Sequence, residues 1–132
     1  MSLVDTSVLL DILNNDRTWA DWSQTAFESS AKMGPMRIND IVYAELSTRF
    51  TTVSEVDSAI DGFGLHLMPM PRAALLLAGK AYMRYRTQDG TRSGVLSDFF
   101  VGAHAAAEGW PLLTRDTGRI KTYFPSVTFI AP

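Results

Sequence analysis

Met1-Ser2-Leu3-Val4-Asp5-Thr6-Ser7 is the stretch on which the reading of the fold turns. Leu3 and Val4 end a short buried strand, and Asp5 sits where that strand stops. Thr6 and Ser7 then open a helix whose Val8, Leu9, Ile12 and Leu13 recur at the i, i+3/i+4 spacing of a buried stripe. Asp is depleted within strands, so Asp5 belongs to the junction between strand and helix. In open α/β sheets, ligands bind outside the carboxyl ends of the strands. A carboxylate at that place, backed by two hydroxyls, marks a candidate site and directs attention to other acids reaching the same edge.

Working outward, the same alternation repeats. Helical spacing covers residues 18–32, with Trp19, Trp22, Ala26 and Phe27 on one face, and Gly34-Pro35 breaks it. Residues 36–38 form a second strand, and Asn39 or Asp40 caps a helix carrying Ile41, Val42, Ala44, Glu45, Leu46 and Arg49. A further helix over 53–61 is closed by Gly62 and Gly64. Residues 65–68 make a third strand, stopped by Pro69 and Pro71, and the longest helix follows over 72–87. Its Leu75, Leu76, Ala78, Gly79, Tyr82 and Met83 are read as a broad apolar face. A polar loop over 88–94 precedes a helix capped by Ser97 and running to Ala107. Residues 110–113 give a fourth strand, Asp116 starts a short helix, and 127–130 give a fifth strand. Strand and helix alternate throughout, which predicts an α/β fold with a mostly parallel sheet covered by helices on both faces.

Composition bounds what such a chain does. Its 132 residues suffice for a single domain over 1–132, with 46% hydrophobic and 20% charged residues. There is no cysteine, which excludes disulfides, thiolate metal sites and a cysteine nucleophile, and suits a reducing, cytoplasmic setting. No apolar run reaches membrane-spanning length, and no basic-then-apolar leader precedes the first strand, so no membrane association is expected. A net charge of −2 excludes a polycation. Nucleic acid would have to be held by a local basic patch or through metal ions.

Fourteen acidic residues are present, and position sorts them. Asp5 ends the first strand, Asp98 lies in the first turn of its helix, Asp116 follows the fourth strand, and Glu45 sits in a helix among Ile41, Val42 and Leu46. Taken singly, Asp98 fits a dipole-stabilising acid, Asp116 a helix cap and Glu45 an exposed helical residue equally well. Taken together they suggest an acidic pocket with little else reactive in the chain. Carboxylates crowded in one pocket raise each other's pKa unless a cation neutralises them. Oxygen-only ligands call for Mg²⁺ or Mn²⁺ rather than zinc. Mg²⁺ keeps several waters that contact phosphates, so an acid cluster with Mg²⁺ points to phosphodiester hydrolysis by one or two ions.

These residues resemble the PIN-domain ribonucleases, and most closely the VapC toxins of type II toxin–antitoxin pairs. The resemblance rests on Val4-Asp5-Thr6-Ser7, Tyr43-Ala44-Glu45-Leu46, Ser97-Asp98 with the small-residue helix to His104-Ala105, and Leu113-Thr114-Arg115-Asp116. It implies a PIN-like fold with a central five-stranded parallel sheet, strand one in the middle. It also implies a Mg²⁺-dependent endoribonuclease, with Mn²⁺ able to substitute, that leaves a 5′-phosphate and a 3′-hydroxyl. In that resemblance Asp5, Glu45, Asp98 and Asp116 form the catalytic quartet. Asp5 and Asp98 are direct metal ligands, Asp116 is a ligand directly or through water, and Glu45 orients the attacking water or completes the shell. Thr6, Ser7 and Thr114 supply supporting hydroxyls. A homodimer held in check by a cognate VapB-type antitoxin is implied as well.

Other residues carry weaker signals. Arg92 and Arg115 flank two of the acids in sequence and could hold RNA phosphates, or could equally be ion-pair partners. His104 lies six residues after Asp98, off its helical face, and reads as a structural histidine. His66 alternates with leucines as strand surface. The two tryptophans read as core or as part of an antitoxin groove, and the apolar face at 75–83 as core extending into a dimer interface. A PIN nuclease of RNA processing would share the chemistry without an antitoxin. A haloacid-dehalogenase-like phosphatase would need an acid where Ser7 stands. A receiver-like binding domain would need an acid pair at strand one, whereas Asp11 falls inside the first helix.

Overall fold

In the computed structural model, which describes residues 1–88 and 95–132, the chain begins with β1 (Ser2–Val4), buried at all three positions. Successive side chains of a strand point to opposite faces, so a strand buried throughout has cover on both. Asp5 leaves the strand with φ −75° and ψ 149° and N-caps α1 (Thr6–Leu13), whose Val8 and Leu9 are fully buried. α2 (Ala20–Ala31) packs against α1, with Phe27 in the core. It starts two residues later than its sequence pattern suggests, because Asp16 accepts hydrogen bonds from the backbone N–H of Thr18 and Trp19 and holds that turn apart.

β2 (Met36–Ile38) leads through Asn39 into α3 (Asp40–Ser47), where the Asn39 side chain accepts from the Val42 N–H at 3.0 Å. α4 (Val53–Phe63) is capped by Thr52 and ends at Gly64, whose φ of +71° suits a residue without Cβ. β3 (Leu65–Leu67) and α5 (Arg72–Gln88) follow. After the segment 89–94 come α6 (Leu96–Glu108), β4 (Leu112–Leu113), α7 (Gly118–Tyr123) and β5 (Phe129–Ile130).

The strands form one sheet in the order β3-β2-β1-β4-β5, every neighbouring pair parallel. β1 is therefore central, as expected, and the winding reverses there: β2 and β3 lie on one side, β4 and β5 on the other. A reversal of this kind opens a crevice at the carboxyl ends of the two strands that flank it, here β1 and β4.

Further sequence expectations change. Asp116 precedes the short helix rather than starting it, since α7 begins at Gly118 with Thr117 at the N-cap position. Ser97 does not cap α6: the helix begins one residue before it, Val95 holds the N-cap position, and no side chain caps it. The face of α5 turned to the core is the alanine face, Ala74, Ala78 and Ala81 with Tyr85, which lets α5 lie close along α6. Leu75, Leu76 and Met83 are instead 44%, 63% and 54% exposed. Both faces of this helix are apolar, so periodicity alone does not say which one meets the protein's own core. No helix among the described residues is long and apolar enough to cross a membrane.

Candidate active site

The crevice beside β1 opens into a cleft of about 730 Å³. Asp5, Glu45, Asp98 and Asp116 all line it, brought there from the end of β1, from α3, from the first turn of α6 and from the turn after β4. Thr6, Ser7, Arg115 and Arg119 line it as well. Arg92 lies outside the described residues.

Asp5 is the most firmly held acid. Its Oδ1 accepts the Thr6 N–H at 2.9 Å, while its Oδ2 accepts the Ser7 hydroxyl at 3.0 Å and the Thr114 hydroxyl at 2.8 Å. Thr114 is fully buried and also accepts the Asp116 N–H at 3.1 Å, so a single hydroxyl ties the β1 acid to the β4 acid. Thr6 points the other way and donates to Glu45 Oε1 at 2.8 Å, linking α1 to α3. The three hydroxyl residues singled out in the sequence thus brace acids arriving from separate elements.

Electrostatics follow from this crowding. Burial pushes the Asp5 carboxyl up to about 6, against the pull of the Thr114 and Ser7 hydroxyls, and the charges of Asp98 and Glu45 add to the rise. Asp98 is also raised, chiefly by burial, with Glu45 and Asp116 adding repulsion and Arg119 opposing it. Arg119 Nη1 meets Asp98 Oδ2 at 2.9 Å.

Arg115 is anchored elsewhere. Its Nε and Nη2 donate to Asp11 at 2.8 and 3.0 Å, and its guanidinium lies 5.5 Å from the centre of the Trp19 ring. Asp11 is only 3% exposed and accepts the Ser23 hydroxyl as well. Asp11, beside this site, is a residue to which the sequence assigned no role there. Asp11 left a signal, since it falls three residues after Val8 on the buried stripe of α1, where a lone charge needs a partner.

His104 takes no part in the cleft. It is fully buried and its Nδ1 lies 3.0 Å from Asn39 Nδ2, which makes Nδ1 the acceptor and leaves the proton on Nε2. Burial lowers its pKa. His66 lies exposed on β3, as its alternation with leucines indicates.

The donor set is suited in kind to a hard divalent ion: oxygen atoms only, several negative charges, and acids whose pKa values rise without a neutralising cation. Among the described residues no three acidic or histidine side chains gather round one point. Mg²⁺ does not require them to, since it takes one or two carboxylates directly and keeps much of its water.

A family model described as "PIN domain" matches residues 2–125, and the chain belongs to that family. No curated protein matches its sequence. Solved structures with the same fold include VapBC2 from Rickettsia felis bound to a fragment of promoter DNA (TM-score 0.74, 19% identity, covering 99% of this chain and 98% of that one). VapBC-1 from nontypeable Haemophilus influenzae has a TM-score of 0.72 at 16% identity, covering 98% and 96% of the two chains. FitAcB from Neisseria gonorrhoeae has a TM-score of 0.66 at 19% identity, again covering 98% and 96%. At these identities the likeness is one of fold.

Proposed function

We propose that this protein is a Mg²⁺-dependent endoribonuclease, the toxin of a toxin–antitoxin pair. The observation that carries the reading is the meeting of Asp5, Glu45, Asp98 and Asp116, from four separate elements, in one cleft at the switch point of a PIN-family sheet. Likeness of fold to VapBC and FitAcB assemblies supports the toxin assignment.

Asp5 and Asp98 would hold the ion, with Asp116 ligating directly or through water. The ion, with Mn²⁺ able to replace Mg²⁺, would supply charge to the scissile phosphate and a water of lowered pKa. The chain's own residues do the positioning. Ser7, Thr114 and the Thr6 N–H fix Asp5 in one rotamer. Thr6 occupies one oxygen of Glu45, leaving the other to orient the attacking water. Arg115, gripped by Asp11, presents a guanidinium edge at the rim of the cleft for a phosphate of the RNA. Hydrolysis would leave a 5′-phosphate and a 3′-hydroxyl.

The exposed Leu75, Leu76 and Met83 of α5 support a homodimer, and a VapB-type antitoxin would cover the cleft in a cytoplasmic complex. The test is cleavage of total cellular RNA by purified protein in Mg²⁺, Mn²⁺ or EDTA, beside Asp98→Asn, with 5′ ends mapped. Metal-dependent cuts at a few sites, absent in the variant, are expected. Cuts that persist in EDTA or in the variant would defeat the reading. Growth arrest on expression, relieved by the antitoxin, separates a toxin from a PIN nuclease of RNA processing.

A further inference from the structure

We propose that Arg119 is a built-in counter-ion of the acid cluster, displaced when a divalent cation binds and thereby released to contact the phosphate of the RNA. This rests on the metal-dependent reading above. Among the described residues two arginines line the cleft, and they are held in different ways. Arg115 is paired with Asp11, a buried carboxylate that does not line the cleft, so loading the cleft leaves that pair intact. Arg119 is paired with Asp98, one of the four cleft acids. Its bond to Asp98 is its one ion pair among the described residues.

A carboxylate oxygen already accepting from a guanidinium is a poorer ligand, because the same lone pairs and the same charge are sought twice. Cation and guanidinium therefore compete for Asp98. The competition is mild, since the Asp98 side chain is 43% exposed and that of Arg119 20% exposed. Partly exposed pairs of this kind hold weakly, so the competition is worth up to about fivefold in cation affinity. Arg119 is not lost to solvent when the pair opens. Its guanidinium also lies 5.3 Å from the centre of the Tyr85 ring, and the negative face of that ring keeps it at the wall of the cleft.

The arrangement couples two ligands. Without cation, Arg119 is spent on Asp98; with cation, it faces the cleft with its donors available. RNA that uses Arg119 must then raise cation affinity by the same factor by which cation raises RNA affinity.

The experiment compares the unaltered full chain with Arg119→Met and, should that variant fold poorly, Arg119→Gln. Mn²⁺ affinity is read from the spin-resonance signal of the free ion. Affinity for a short mixed-sequence RNA, with phosphorothioate linkages to slow cleavage, is read by fluorescence anisotropy in EDTA and in Mn²⁺. The variant is expected to bind Mn²⁺ up to about fivefold tighter. It should bind RNA as the unaltered chain does in EDTA, and several-fold more weakly in Mn²⁺. Unchanged Mn²⁺ affinity, or an RNA defect equal in EDTA and Mn²⁺, would overturn the inference and leave the nuclease reading standing. No Mn²⁺ binding by the unaltered chain would remove both.

Discussion

Asp5→Asn should make the protein more stable at neutral pH while abolishing cleavage, and the gain should depend on pH in a defined way. The Asp5 carboxyl is raised from 3.8 to about 6 on folding, first by burial and then by Asp98 and Glu45. An acid with a raised pKa binds its proton more readily folded than unfolded. Its contribution to stability is thus full below 3.8 and is lost as pH climbs through about 6. A shift of two units corresponds to about 3 kcal/mol, of which about 2 kcal/mol falls between pH 4.5 and 7.5.

Asparagine keeps the geometry that makes the comparison clean. Its oxygen can still accept from the Thr6 N–H, and its amide can donate to the Ser7 and Thr114 hydroxyls, which accept as readily as they donate. Any residual cost of the exchange is independent of pH. Urea unfolding in EDTA at pH 4.5 and 7.5 should therefore show the stability of the variant, relative to the unaltered chain, rising by about 2 kcal/mol at the higher pH. Mg²⁺ at pH 7.5 should shrink the gap by stabilising only the chain that retains the carboxylate. A difference that is the same at both pH values would refute the claim that Asp5 is held as a destabilised charge.

Thr114→Val removes the hydroxyl that donates to Asp5 and accepts from the Asp116 N–H; a stability loss of about 1–3 kcal/mol in urea is expected, with the acidic limb of the cleavage profile moving to higher pH. Asp11→Asn breaks the paired hydrogen bonds to Arg115, whose side chain is 32% exposed, and should cost about 2 kcal/mol with a larger loss in KM than in kcat. Gly102→Ala would place a Cβ 2.6 Å from Phe124 and 2.8 Å from Ile120, pushing α7 off α6. A drop of about 1–3 kcal/mol, read by thermal unfolding, should result.

What the sequence made legible was local. Asp5 and Asp116 follow the ends of strands and Asp98 stands in the first turn of a helix, where turn chemistry is written in a few neighbouring residues, and Gly64 announces the end of α4 by its need for a positive φ. The succession of strands and helices predicted a parallel sheet, whereas the central place of β1 came only from the resemblance to PIN domains. Pairings between distant residues were not legible. Arg115 meets Asp11 across 104 positions, and Arg119 meets Asp98 across 21, so no window of sequence contains either bond. The orientation of α5 was hidden for another reason: alanine on one face and leucine on the other give two apolar candidates, and only close packing against α6 selects the smaller side chains.

The Asn39–His104 contact has a consequence for how such a protein changes over generations. Asn39 caps the helix that bears Glu45, His104 belongs to the helix that bears Asp98, and neither residue lines the cleft. The spacing of two acids is thereby set by a bond that substrate never touches. If the chain is the nuclease proposed above, substitutions at the rim can alter which substrate is accepted while this rivet holds the acids in place, so target preference and cutting competence are free to vary as separate traits.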